Sequence, residues 1–324
     1  MAFDYKSGKE VRKNHSVEVN AFMFEDGTDF YYKWIKEGNS VNNFTNVIKK
    51  NSSSILIEGN VNLNGSYMLC VKQNDKVICG DYLKFDNDID EFNVAFMVDG
   101  VQVDASNAYT NDVISTLIEF NDISTIKCVA VGKNVSNVNC ERGKNNVTYY
   151  DGSDFGSPIS AYAISENGEY TFYIEDIIGN FKKLTYVIES IDREEISINV
   201  YKENGESNLE NDVYKNEHRF KVMFDEKETT GSKHARYSYF FTTKKYSVDR
   251  SNNISVFYSE ENFNNYFYSS DTTISRNITD NSILSSKQLI ITSPNSTGKY
   301  NLYIRAIDSA NNVSYAYVAI SSAT

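Results

Sequence analysis

The chain of 324 residues has only two prolines, Pro158 and Pro294, and a single tryptophan, Trp34. Its three histidines, His15, His218 and His234, stand in separate segments without a motif partner. No Gly-x-Ser-x-Gly elbow, phosphate loop or His-Glu-x-x-His occurs, so the local signatures of hydrolase, nucleotide and zinc-protease chemistry are missing. Cys-x-x-Cys is also absent, which removes the usual spacing of zinc and redox sites. Basic clusters are lacking, the net charge is −12, and the pI is about 4.9. Proteins that grip nucleic-acid backbone displace counterions with Lys and Arg, so no nucleic-acid partner is expected. An anionic membrane surface is disfavoured for the same reason. No apolar run approaches the roughly 18 residues of a transmembrane helix. The start, Met1-Ala2-Phe3-Asp4-Tyr5-Lys6, lacks the apolar stretch of a signal peptide. If the protein is secreted, that start predicts a mature or excised segment.

What is abundant favours strands. Hydrophobic residues make up 40% and charged residues 23%, a globular balance, and 24 Tyr and 19 Phe join many Val, Ile and Thr. No segment shows sustained helical periodicity between caps, so the expected class is all-β.

Internal repetition is the strongest signal. Asn64-Gly65-Ser66-Tyr67-Met68-Leu69-Cys70-Val71 recurs as Asn167-Gly168-Glu169-Tyr170-Thr171-Phe172-Tyr173-Ile174, and again as Thr297-Gly298-Lys299-Tyr300-Asn301-Leu302-Tyr303-Ile304. The shared Gly-x-Tyr-x-apolar-x-apolar pattern is the period-2 alternation of a strand with one buried face. Each copy is followed by a turn and a second strand, Val77 to Phe85, Phe181 to Ile188 and Val313 to Ile320. Two of the turns read Asp176-Ile177-Ile178-Gly179-Asn180 and Asp308-Ser309-Ala310-Asn311-Asn312. Asp bonds turn backbone, and Gly or Asn tolerates positive φ at the tip.

These residues carry a family resemblance. Gly-x-Tyr on a penultimate strand resembles the tyrosine corner of immunoglobulin-like sandwiches, and Tyr300 to Asn312 is similar to the end of many bacterial immunoglobulin-like repeats of extracellular surface and adhesin proteins. The first copy departs from the pattern, with Gln73-Asn74-Asp75-Lys76 at its turn. Phe30 to Lys36 resembles a C strand with Trp34 in the core. The resemblance implies tandem immunoglobulin-like β-sandwich modules over residues 1–87, 88–191 and 192–324, the last with an enlarged central region. It places Tyr67, Tyr170 and Tyr300 at structural corners. It also implies a non-catalytic segment at the cell surface or secreted, an adhesive or structural stalk that presents or forms a binding surface. Its expected partner is a host or cell-surface protein or glycan. The alternative is a carbohydrate- or protein-binding accessory module of a larger extracellular enzyme. Carboxylate pairs on separate strands leave no local signature, but sandwich repeats of this size are usually scaffolds or binders, so no catalysis is expected.

Three further features bear on function. A two-residue turn at Asn74-Asp75 sets Gln73 opposite Lys76 and therefore Cys70 opposite Cys79, at the lower edge of disulfide distance. Cys128 and Cys140 pair similarly across a loop near Lys133 to Val135. Two local disulfides place the chain in an oxidising compartment; the alternative is four reduced thiols. Asp86-Asn87-Asp88-Ile89-Asp90-Glu91 joins the first two modules and is loosely similar to the calcium linkers of cadherin-like arrays. That likeness makes Asp86, Asp88 and Asp90 candidate calcium ligands, against a plain solvated linker with no cofactor. The second junction, Asp192-Arg193-Glu194-Glu195, is a poorer match. Finally, the run Phe257 to Tyr268 reads either as edge strands and a loop or as an exposed ligand surface built from Tyr258, Phe263, Tyr266, Phe267 and Tyr268.

Overall fold

The computed structural model describes residues 3–20, 29–49, 54–59, 62–106, 109–202, 213–215, 219–226, 232–244, 260–295 and 298–323. Its first strands are β1 (Phe3–Tyr5), β2 (Ser16–Asn20), β3 (Asp29–Lys36), β4 (Asn46–Lys49), β5 (Ser54–Glu58), β6 (Gly65–Gln73) and β7 (Lys76–Phe85). Next come β8 (Glu91–Val98), β9 (Val101–Val103), β10 (Ile114–Asn121), β11 (Ile126–Lys133), β12 (Val147–Asp151), β13 (Ala163–Ile164), β14 (Gly168–Asp176) and β15 (Phe181–Ile188). The last are β16 (Ser197–Lys202), β17 (Val213–Lys215), β18 (Arg219–Asp225), β19 (His234–Thr242), β20 (Thr272–Ile278), β21 (Gln288–Thr292), β22 (Gly298–Asp308) and β23 (Val313–Ala323). Two short helices, α1 (Glu260–Phe267) and α2 (Asn281–Ser286), flank β20. The chain divides into two units: Met1–Ala95 with Thr116–Tyr162 and Gly168–Val187, and Phe96–Ser115 with Ala163–Asn167 and Ile188–Thr324.

In the first unit, one sheet has the order β1-β2-β5 and another β4-β3-β6-β7. Placing the first, second and fifth strands in one sheet and the rest in the other is the strand distribution of an immunoglobulin-type sandwich. Alternation drives Val17 and Val19, Leu69 and Val71, and Leu83 and Phe85 into a shared core with Phe3, Phe30 and Ile57. Trp34 is half-buried and packs edge-on to Phe85 at 5.0 Å between ring centroids. The sheet β12-β11-β14-β15 of the same unit repeats the order β4-β3-β6-β7. Strand β11 is buried on both faces from Cys128 to Gly132, because Val138, Val135 and Cys140 cover the face that alternation would leave in water.

In the second unit, β16-β18-β21 stands against β17-β23-β22-β19-β20, with β17 parallel to β23 and the other neighbours in these two sheets antiparallel. Phe220, Val222 and Phe224 meet Tyr237, Phe241, Leu302 and Ile304 in the core. From Glu260 to Phe267 the aromatic run expected as strand or loop is instead helical. In α1, Phe263 and Phe267 lie one turn apart on one face, and that face packs on Phe240 and Tyr303. Helical spacing is thus set by tertiary packing, in a sequence too rich in Asn to signal a helix by propensity. Asp280 caps α2, accepting from Ser282 N at 2.8 Å.

Candidate functional site

The feature that recurs with its chemistry intact is a clasp built by a hairpin turn. In the first unit, Asp176 ends β14 and its Oδ1 accepts from the backbone N–H of Ile178 at 2.9 Å and of Asn180 at 2.8 Å. Asn180 Nδ2 donates to Asp176 Oδ2 at 2.8 Å, and also to the carbonyl and Oδ1 of Asp86, each at 3.1 Å. Gly179 supplies the tip at φ +87°, a conformation that favours glycine. Asp86 follows β7 and is itself fixed by its N–H, which donates to Arg12 O at 3.0 Å. The turn of one hairpin therefore grips the chain just beyond the preceding hairpin.

The second unit builds the same clasp from Asp308, Asn312 and Asp192. Asp308 Oδ1 accepts from the N–H of Ala310 at 2.8 Å and of Asn312 at 2.9 Å. Asn312 Nδ2 donates to Asp308 Oδ2 at 2.8 Å and to Asp192 O at 2.9 Å. Asn311 takes the tip at φ +67°. Asp192 N donates to Thr110 O at 2.9 Å, as Asp86 N does to Arg12 O. Even the flanking bonds match: Ile177 N donates to Thr125 O at 3.0 Å and Ser309 N to Lys233 O at 2.7 Å.

The two clasps differ in charge. In the first, Asp122 joins Asp86 and Asp176, and one oxygen from each lies within 4.8 Å of the others. Asp86 is fully buried, and the Oδ2 atoms of Asp86 and Asp122 meet no hydrogen-bond donor. Burial, followed by the charge of Asp86, pushes the Asp122 carboxyl up to about 6. Burial raises Asp86 as well, with the charges of Asp176 and Asp90 adding to it. The Ser124 hydroxyl beside Asp86 offsets part of that rise, although it lacks full hydrogen-bond geometry. In the second clasp the hydroxyl of Ser232 donates to Asp308 Oδ2 at 3.2 Å instead.

The expected calcium run does not converge. Asp86 is in the cluster, but Asp88 and Asp90 are exposed. Asp88 turns back to Ile89 N at 2.9 Å and lies 3.4 Å from Lys182 Nζ. Asp90 Oδ1 accepts from Asn64 Nδ2 at 2.8 Å, and its N–H donates to Asp122 Oδ1 at 3.2 Å. Neighbours in an extended segment project apart, so residues from other turns complete the cluster. Asp176 belonged to a visible turn motif; Asp122 and the grip of Asn180 and Asn312 left no local signal.

Both disulfides are present, Cys70–Cys79 with Cα atoms 4.1 Å apart and Cys128–Cys140 with 5.8 Å. The register pairs Gln73 with Lys76 and Cys70 with Cys79, as the two-residue turn requires. Tyr67 is half-buried against Phe85 at 5.8 Å, Tyr170 is buried beside Tyr162 at 6.4 Å, and Tyr300 lies in the core of the second unit. Of the aromatic ligand residues, Phe263 and Phe267 are corrected to core positions and Tyr266 packs partly buried against them. Tyr268 is 73% exposed. Tyr258 lies outside the described residues.

No protein-family model and no curated protein sequence matches the chain. Solved structures similar to it are tandem-domain proteins. Three N-terminal domains of the bacteriophage RB49 highly immunogenic outer capsid protein align at 10% identity and a TM-score of 0.40, covering 96% of this chain and 94% of that one. The FN1-FN3 domains of chicken CNTN1 align at 9% identity and 0.34, covering 99% and 98%. A tetra-tandem repeat from the extending region of a large adhesion protein aligns at 10% and 0.29, covering 99% and 73%.

Proposed function

We propose that this chain is a non-catalytic segment of a secreted or cell-surface protein, a structural and adhesive array of immunoglobulin-like sandwiches. The observation that carries this reading is the clasp built twice from the same residue types in the same roles. A repeated, internally bonded junction serves the spacing and orientation of modules and needs no reacting group. Two disulfides support an oxidising, extracellular setting. No helix among the described residues is long and apolar enough to cross a membrane. The contact it makes is with a host or cell-surface protein or glycan, through exposed side chains such as Tyr268 rather than through Phe263 and Phe267, which are buried.

An array of glycans and cell-surface proteins, probed with the whole chain and followed by product analysis of each bound glycan, tests the reading. Saturable binding without turnover is expected. Chemical conversion of any bound glycan would overturn it.

A further inference from the structure

We infer that Asp86, Asp122 and Asp176 form a site for a hard divalent cation, calcium in preference to magnesium. Three carboxylates offer only oxygen, the donor set of calcium, magnesium and manganese. Their ligand oxygens all lie within 4.8 Å of one another. Calcium takes carboxylates directly in flexible, irregular geometry, whereas magnesium demands near-ideal octahedral geometry and usually keeps several waters, so three carboxylates from separate turns suit calcium better.

Proximity of acids alone would mean little. The second observation is the fully buried Asp86, whose Oδ2 receives no hydrogen bond, with Asp122 Oδ2 in the same condition beside it. Buried carboxylate oxygens without donors are costly unless something positive meets them. The donors that do reach the cluster are neutral: Asn180 Nδ2, the backbone N–H groups of Asp90, Ile178 and Asn180, and the Ser124 hydroxyl beside Asp86. Among the described residues no lysine or arginine pairs with any of the three aspartates, and the nearby Lys182 is directed to Asp88 and to the carbonyl of Ile89. A cation supplies the missing charge and ties together the exit of β7, the turn after β10 and the turn after β14. The second clasp shows the contrast, since Ser232 and Asn312 both donate to Asp308 Oδ2 there. The cation therefore belongs to the first clasp alone.

The inference is independent of the functional reading and is tested separately. The whole chain, stripped with chelator, is titrated with calcium chloride and with magnesium chloride by calorimetry, and its unfolding is followed by heating. One calcium per chain is expected, with a raised unfolding midpoint and magnesium at least about tenfold weaker. Asp122→Asn weakens calcium by at least about tenfold, because ligand charge sets affinity. In chelator the same variant unfolds no earlier than the parent, which shows that it is folded. Asp88→Asn leaves the affinity unchanged. Absence of saturable calcium binding up to about 10 mM, above the range of extracellular calcium modules, would overturn the inference. So would equal affinity in Asp122→Asn, tighter binding of magnesium, or an equal loss in Asp88→Asn.

Discussion

One asparagine amide in each clasp bonds to two segments at once. Asn312 Nδ2 reaches both Asp308 Oδ2 and Asp192 O from a buried position. Asn312→Ala removes both bonds, leaving Asp308 Oδ2 to Ser232 and taking a donor from the buried Asp192 carbonyl, a loss of about 1–3 kcal/mol. Arg193 follows Asp192 directly, so loosening that segment exposes a tryptic site. Limited trypsin digestion is therefore expected to cut after Arg193 several-fold faster in the variant. Asn180→Asp is a harsher change than its Ala counterpart, because it adds a fourth carboxylate to Asp86, Asp122 and Asp176. Its thermal midpoint in chelator is expected to fall below that of Asn180→Ala.

Among the elements, hairpins were legible and the small helix was not. Hairpin β6/β7 announces itself through Gly-x-Tyr alternation and a turn that sets Cys70 across from Cys79, a register fixed by local geometry alone. Helix α1 depends on contacts with Phe240 and Tyr303, which are distant in sequence, and its own Asn residues argue against it. The acidic cluster was illegible for a related reason, since Asp86, Asp122 and Asp176 come from three separate segments. Buried Phe263 and exposed Tyr268 make a direct comparison within one aromatic run. Phe263→Ala is expected to destabilise the second unit by about 3–5 kcal/mol, while Tyr268→Ala changes stability by less than about 0.5 kcal/mol. Calorimetric scans of the two variants check this difference.

At the scale of the whole molecule, the three hairpins are not interchangeable. Hairpins β14/β15 and β22/β23 carry the gripping turn Asp-x-x-x-Asn, but β6/β7 closes on Asn74 and Asp75, with Asn74 at φ +50°. Replacing Asp308–Asn312 by that two-residue turn should leave β22 and β23 paired while releasing Asp192. Hydrogen exchange at the Asp192 amide is expected to accelerate while the core amides of β22 stay protected. The departure of the first copy from its sisters then acquires a meaning. Each coupling has a plug, the Asp-x-x-x-Asn turn, and a socket, the backbone at Asp86 or Asp192. The first hairpin leads into a socket and bears no plug. Sequence order is thereby written into the connectors themselves: shuffled behind either of the others, the first repeat would arrive with a blank key.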